Sequence, residues 1–282
     1  MLTKSQLVEV FKKSGFRPLK RLGENYLIDA NIKDKIIAEA AVKDTDTIIE
    51  IGPGLGALTI DLASSGANVY AVEKDKKAYS ILKGLVGNDF PNLKLFNADI
   101  LKFDLKAISG IGKLKVVGNL PYYITTPIIE YLINNRKSIK SILITVQKEV
   151  ANRLLAAAGS DSYSSISCFV QYYTKPRYIH TIRRTSFYPV PEVDSSLIGL
   201  EVLEMSPRVN VGDEELFFRL IRGAFNQRRK AILNSLSRDA VLGISKEKLS
   251  KVLKEVGIDP AARPEKIGLS AFARLANSLA GA

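Results

Sequence analysis

The chain has almost none of the residues that build disulfide frameworks or zinc sites. Its 282 residues include one cysteine, Cys168, and one histidine, His180. An intrachain disulfide is therefore impossible, and a zinc site of the usual Cys/His kind has too few ligands; no metal is expected. Cys168 lies in the apolar run Ile166-Ser167-Cys168-Phe169-Val170 and reads as a small core residue rather than a nucleophile. No apolar run approaches bilayer-spanning length, and Met1-Leu2-Thr3-Lys4-Ser5 lacks the apolar stretch of a signal peptide. The expectation is a cytoplasmic protein with no membrane partner. Acidic residues are outnumbered, 29 against 41 Lys and Arg, for a net charge of +12 and a pI near 9.6. Such an excess suits a polyanionic partner, nucleic acid first, although a Lys-rich soluble surface has the same composition.

What remains is ordinary globular material, 46% hydrophobic, enough for one large domain with a small appendage. A basic segment to about Arg21 carries Leu7, Val8, Val10 and Phe11 at helical spacing. A helix is expected over Asn31–Val42. Short β-rich runs then alternate with helical patterns: strands at Thr47–Ile51, Asn68–Val72, Leu93–Asn97, Lys115–Gly118 and Ser141–Val146, helices at Leu58–Ser64, Ala78–Val86, Thr126–Asn134 and Lys148–Ala157. That alternation predicts βαβ units and a parallel sheet, an α/β Rossmann-like arrangement whose ligands sit at the carboxyl ends of the strands. No element is assigned between Ala157 and Phe187. A final strand is expected at Leu197–Val202. From Asp213 the pattern is helical throughout, with one long basic helix over Glu214–Leu236, then Lys246–Val256, stopped by Gly257, and Ser270–Ser278. The expected division is residues 1–205 and an all-helical domain over 206–282.

Four loops fall at predicted strand ends. Gly52-Pro53-Gly54-Leu55-Gly56 joins a strand to a helix, where glycines allow a tight turn and close backbone approach. The dinucleotide fingerprint spaces its glycines differently to cradle a pyrophosphate. Alternating glycines, with Pro53 removing a donor, fit a ligand without phosphates such as S-adenosylmethionine. Glu73, roughly 20 residues on, is placed to hold ribose hydroxyls. Asp99 ends the third strand, where a carboxylate can accept from an adenine amino group. Asn119-Leu120-Pro121-Tyr122 ends the fourth. The amino group of adenine is a poor nucleophile because its lone pair is delocalised into the ring. The side-chain oxygen of Asn119 and the carbonyl of Leu120 could take its two hydrogens and turn the lone pair outward. Pro121 would stiffen the loop and Tyr122 would offer an aromatic face. A base in structured RNA must leave its stack to reach such a site. Phe187 is either a second stacking face or a core aromatic, and Tyr123 is a further candidate. Arg222, Arg228, Arg229 and Lys230 lie on the predicted long helix, where they would either contact phosphates or form a solvated face.

These stretches together resemble the small-subunit ribosomal RNA adenine dimethyltransferases, the KsgA family. The resemblance covers essentially the whole chain and is carried by Leu22–Asp29, Glu50–Gly56, Asn119–Thr125, Val146–Val150, Phe187–Ser195 and Phe225–Lys230. It implies a Rossmann-like S-adenosylmethionine-dependent methyltransferase domain with a small helical C-terminal domain. It also implies dimethylation of N6 on two adjacent adenines in the 3′-terminal hairpin loop of 16S RNA. The expected substrate is the immature 30S subunit, the expected product of the cofactor S-adenosylhomocysteine, and the expected state a monomer. Cofactor contacts carry over onto Asn25, Leu27, Gly52, Glu73, Asp99 and Asn119, and Gly54 of the glycine loop is expected to join them. Two positions depart from the family: Glu24 where Gln is usual, and Tyr26 where Phe is usual. The nearest rivals are a 23S RNA adenine methyltransferase of the macrolide-resistance type and an RNA-binding assembly factor without turnover. The long C-terminal region favours the small-subunit reading, and the intact loops argue against lost chemistry.

Overall fold

The computed structural model describes residues 2–16, 25–108, 112–203, 207–238 and 243–280. In chain order the elements are α1 (Lys4–Ser14), β1 (Tyr26–Leu27), α2 (Ala30–Ala40), β2 (Thr47–Ile51), α3 (Thr59–Ser64), β3 (Asn68–Glu73), α4 (Lys76–Val86), β4 (Leu93–Asn97), β5 (Leu114–Asn119), α5 (Thr125–Asn134), β6 (Ile139–Gln147), α6 (Lys148–Leu155), α7 (Ser165–Tyr173), β7 (Thr174–Ile182), β8 (Phe187–Tyr188), β9 (Ser195–Val202), α8 (Glu214–Asn226), α9 (Ile232–Leu236), α10 (Lys246–Glu255) and α11 (Leu269–Ala280).

Seven strands form one sheet in the order β4-β3-β2-β5-β6-β9-β7. The first five run parallel, and β9 lies antiparallel to β6. The order reverses at β2, so the loops after β2 and β5 open into one crevice, the place where doubly wound sheets bind ligands. The central strands are near-continuous apolar runs because helices cover both faces: Ile48, Ile49, Ile51, Val69, Ala71, Val116 and Val117 are all buried. Helix starts follow local chemistry. Asp29 caps α2 by accepting from the N–H groups of Asn31 and Ile32, and Asp75 caps α4 through Lys77 and Ala78.

The chain divides into two compact units. One comprises residues 1–151 and 177–202, the other 152–176 and 203–282. The division is not a single cut. The expected boundary at residues 205 and 206 lies outside the described residues, and Leu203 already belongs to the second unit. So does the stretch before β7, because α7 supplies Phe169, Tyr172 and Tyr173 to an aromatic cluster with Phe217 and Phe218 of α8. Cys168 is buried on the same helix with its Sγ 3.2 Å from the hydroxyl of Tyr163. Burial pushes its thiol up to about 12, so it is a packed, unreactive core residue.

The long helix expected over Glu214–Leu236 is two helices. α8 ends at Asn226, and Gln227–Lys230 form a turn before Ala231 goes extended and α9 begins. The break is held by Lys230 N–H on the Gln227 carbonyl and Ile232 N–H on the Ala262 carbonyl. Arg228, Arg229 and Lys230 therefore sit on a turn, not on a helix face.

Candidate functional site

A cavity of about 450 Å³ opens at the carboxyl ends of β2, β3, β4 and β5, within the usual size range for small-molecule sites. Its walls include Asn25, Tyr26, Leu27, Glu50, Gly52, Gly54, Glu73, Lys74, Asp75, Asp99, Asn119, Pro121 and Tyr123. Four of these are acids and one is a lysine, so an acidic pocket lies in a chain of net charge +12.

The glycine loop is a tight turn, with Gly52 N–H on the Val72 carbonyl and Gly56 N–H on the Pro53 carbonyl. Gly54 has φ +58, and a Cβ there would lie 2.9 Å from the ring of Tyr26. Tyr26 thus closes one side of the loop with its ring, the part it shares with the family's usual Phe. The other unusual position, Glu24, lies outside the described residues. The N-terminal segment is the amphipathic helix expected: Leu7 and Phe16 pack in one cluster with Leu55 of the glycine loop and Ala78 of α4, flanked by Val10, Phe11 and Tyr26.

Glu73, the last residue of β3, accepts two backbone hydrogen bonds. Gly54 N–H reaches Oε2 at 3.0 Å and Asp75 N–H reaches Oε1 at 2.8 Å. Asp99, after β4, accepts from Leu101 N–H and pairs with Lys74 at 2.8 Å. The Lys74 ammonium beside it holds Asp99 below the ordinary carboxylate range, and Lys74 is raised in return.

Asn119 ends β5. Its Nδ2 donates one hydrogen to the carbonyl of Asn25 at 2.8 Å, which fixes the orientation of the amide and so which end, Oδ1, is its acceptor. Gly118, just before it, has no room for a side chain: a Cβ would lie 2.8 Å from the Ile51 carbonyl. Leu120 is buried, with its N–H on the Thr145 carbonyl. The Thr125 hydroxyl donates to the Pro121 carbonyl at 3.0 Å and fixes the turn into α5. The hydroxyl of Tyr122 meets Ser195 Oγ at 2.6 Å, which locks its ring.

The structure brings Asn25, Leu27, Gly52, Gly54, Glu73, Asp99, Asn119 and Pro121 together in the lining of one cavity; Leu120 and Tyr122 flank them. Phe187 does not join them as a stacking face. It pairs with Leu27 between β8 and β1, is 1% exposed, and packs in the hydrophobic core. The ring that is open beside the cavity is Tyr123, 45% exposed. Sequence reasoning also gave no separate role to Glu50, which lines the cavity from β2; an acid as the first residue of the glycine-loop motif was the available signal. In the second unit, Arg222, Arg228, Arg229 and Lys230 are all exposed, and Arg228 also donates to the carbonyl of Asp161. Among the described residues no cluster of acids, His and Cys could hold a metal ion, and no helix is long and apolar enough to cross a membrane.

A family model described as ribosomal RNA adenine dimethylase matches residues 15–281. The chain is 44% identical to a protein of Moorella thermoacetica named ribosomal RNA small subunit methyltransferase A, over 98% of each chain. It is 42% identical to the protein of that name from Geobacillus kaustophilus, over 99% of this chain and 96% of the relative. A solved dimethyladenosine transferase from Plasmodium falciparum superposes with a TM-score of 0.74 at 27% identity, covering 89% of this chain and 95% of that one. The 23S rRNA methyltransferase ErmE shares the fold, with a TM-score of 0.71 at 23% identity over 91% of this chain and 100% of that one.

Proposed function

The chain belongs to the ribosomal RNA adenine dimethylase family, and from that premise we propose that it dimethylates N6 of two adjacent adenines in the 3′-terminal hairpin loop of 16S RNA. Its substrate is the immature 30S particle, and it works as a cytoplasmic monomer. The general activity follows from membership: S-adenosylmethionine-dependent dimethylation of adenine in ribosomal RNA. The observation that carries the catalytic assignment is Asn119. It ends a central strand beside the glycine loop, Glu73 and Asp99, with its amide oriented by a hydrogen bond from Nδ2 to Asn25.

The residues present fit the cofactor. Glu73 is held by two N–H groups with both oxygens turned to the glycine loop and α4, and it serves the ribose hydroxyls. Asp99 serves the adenine amino group. Asn25, Leu27, Gly52 and Gly54 complete the enclosure, and the acidic lining suits a ligand carrying positive charge. The cofactor supplies an electrophilic methyl group on a sulfonium.

The chain's own task is to prepare the nucleophile. Asn119 Oδ1 and the Leu120 carbonyl accept the two hydrogens of the target amine, so that its lone pair is freed from the ring and aimed along one line. The rate gain is one of orientation. Tyr122, locked by Ser195, and the open ring of Tyr123 bracket the extruded base. No strong general base is required, because the methylated amine is acidic and loses its proton to water. The exposed Arg222, Arg229 and Lys230 bind RNA phosphates, and Arg228, exposed as well, braces that turn through Asp161.

The test is transfer of labelled methyl from S-adenosylmethionine to unmethylated 30S particles, followed by nucleoside analysis. N6,N6-dimethyladenosine in the 3′-terminal hairpin is expected. Label confined to 23S RNA, or no transfer, would overturn the proposal.

A further inference from the structure

Of the four acids that line the pocket, Glu73 and Asp99 are assigned to the cofactor and Asp75 caps α4, which leaves Glu50 without a task. It is the fourth residue of β2, in register with Ala71 on β3 and Val117 on β5, and is 2% exposed. Its Oε2 is buried with no hydrogen-bond partner. Thr59, which sits beside it at the start of α3, has a buried Oγ1 in the same condition. The charged groups on the surrounding elements do not help. Glu73 on β3 has the same sign. Asp61 on α3 is paired with Lys33, Lys115 on β5 with Asp46, and Lys74 with Asp99; Asp75 caps α4. Among the described residues no ion pair includes Glu50. An ionised carboxylate so placed pays its desolvation with only the neighbouring Thr59 hydroxyl, outside good hydrogen-bonding geometry, in return, so the group stays protonated. Burial, with Glu73 adding to it, pushes its pKa up to about 8 although Thr59 acts the other way.

We propose that Glu50 is a proton-exchanging anchor for the cationic cofactor: it keeps its proton while the pocket holds no cation and releases it to solvent when the sulfonium-bearing ligand enters. The inference rests on the reading of this cavity as the S-adenosylmethionine site. The balance is simple. The neutral carboxyl and the incoming cation become a carboxylate beside a cation, and one proton leaves to buffer. A nearby positive charge in a poorly solvated pocket favours the ionised acid. S-Adenosylhomocysteine lacks the sulfonium charge, so it releases less proton and leaves Glu50 closer to its neutral state. Each methyl transfer thereby weakens the hold on the spent cofactor, a useful property for an enzyme that exchanges cofactor repeatedly.

The experiment is calorimetric titration of the full chain and of Glu50→Gln with S-adenosylmethionine and with S-adenosylhomocysteine, in buffers of different ionisation enthalpy. Glutamine has nearly the shape of the neutral acid. Wild type should release more protons than Glu50→Gln on binding S-adenosylmethionine, the excess approaching about one, and less with the product. Relative to the variant, wild-type affinity should rise by up to about tenfold per pH unit and level off above pH 8. The cofactor's own ammonium titrates alike in both proteins and cancels. Equal proton counts at tight binding overturn this proposal alone. No binding of either ligand by wild type overturns the pocket assignment and this proposal with it. Should the variant fail to fold, wild type labelled with ¹³C at glutamate carboxyls decides the matter. A protonated-carboxyl signal must be present in the free protein and lost on adding S-adenosylmethionine, and any other result overturns the proposal.

Discussion

Gly54 donates its backbone N–H to Glu73 Oε2 at 3.0 Å, so the glycine loop and the end of the neighbouring strand are one hydrogen-bonded piece. The carboxylate is oriented before any ligand arrives. Glu73→Ala should weaken S-adenosylmethionine binding by about 1.5–3 kcal/mol, the range for hydrogen bonds to a charged group. Calorimetry on the folded variant checks this, and unchanged affinity refutes the assignment.

Asn119→Ala removes the acceptor proposed for the target amine, together with the tie to Asn25. Turnover should fall by about two orders of magnitude, the size of losing one preorganised hydrogen-bonding group at a reacting centre. Cofactor affinity should fall by less. Single-turnover methylation at saturating cofactor and RNA separates the two, and a near-normal rate counts against a catalytic role.

Gly118→Ala should be costly without touching a ligand. Its Cβ would meet a backbone carbonyl, that of Ile51, at 2.8 Å, and backbone cannot swing aside as a side chain does. The expected loss of stability is about 1–3 kcal/mol, accompanied by lower turnover as Asn119 is displaced. Denaturant unfolding and kcat report both; a wild-type midpoint would show that β2 and β5 can part freely.

Replacing Arg229 and Lys230 with Ala should weaken binding to 30S particles and flatten its salt dependence by about 0.7–0.9 log units per lost phosphate contact. Cofactor affinity should stay the same, since all the described residues that line the cavity belong to the first unit. An unchanged salt slope would make the turn a solvated surface and move RNA docking to the N-terminal basic segment or elsewhere.

Glu50 also makes stability depend on pH. The folded protein keeps this proton to about pH 8, whereas the unfolded chain gives it up near 4.5. The contribution is therefore complete below 4.5 and is lost as pH rises through 8, at about 1.4 kcal/mol per unit between those values. Denaturation of the cofactor-free protein across this window should show the slope in wild type and its loss in Glu50→Gln. Parallel curves would show that the acid is ionised when folded.

Much of the site was legible because a parallel sheet has a simple grammar. Apolar runs mark buried strands, and the residue that ends each run lands at one edge; Gly52, Glu73, Asp99 and Asn119 needed no more than that. Where the reading failed, other forces decided. β7 is an edge strand with Pro176 inside it and exposed Lys175, Arg177 and Tyr178, so it has neither a buried run nor clean alternation. The break after Asn226 depends on hydrogen bonds to Ala262 and Gln227, and helix periodicity carries no trace of a distant acceptor. Phe187 and Tyr123 are both aromatic and both near the motifs; only the pairing of Phe187 with Leu27 separates the core ring from the open one.

The helical unit is spliced from two separated stretches, and this has a consequence for how the protein can be built or dismantled. The ribosome delivers α7 before the last sheet strands exist and its partner α8 only after them. Order of synthesis and order of assembly are thus uncoupled, and Phe169, Tyr172 and Tyr173 must wait for Phe217 and Phe218. A chain stopped at Val202 is not a trimmed catalytic domain but one carrying a bare aromatic face. Exchange of the helical unit between relatives succeeds only when both stretches travel together.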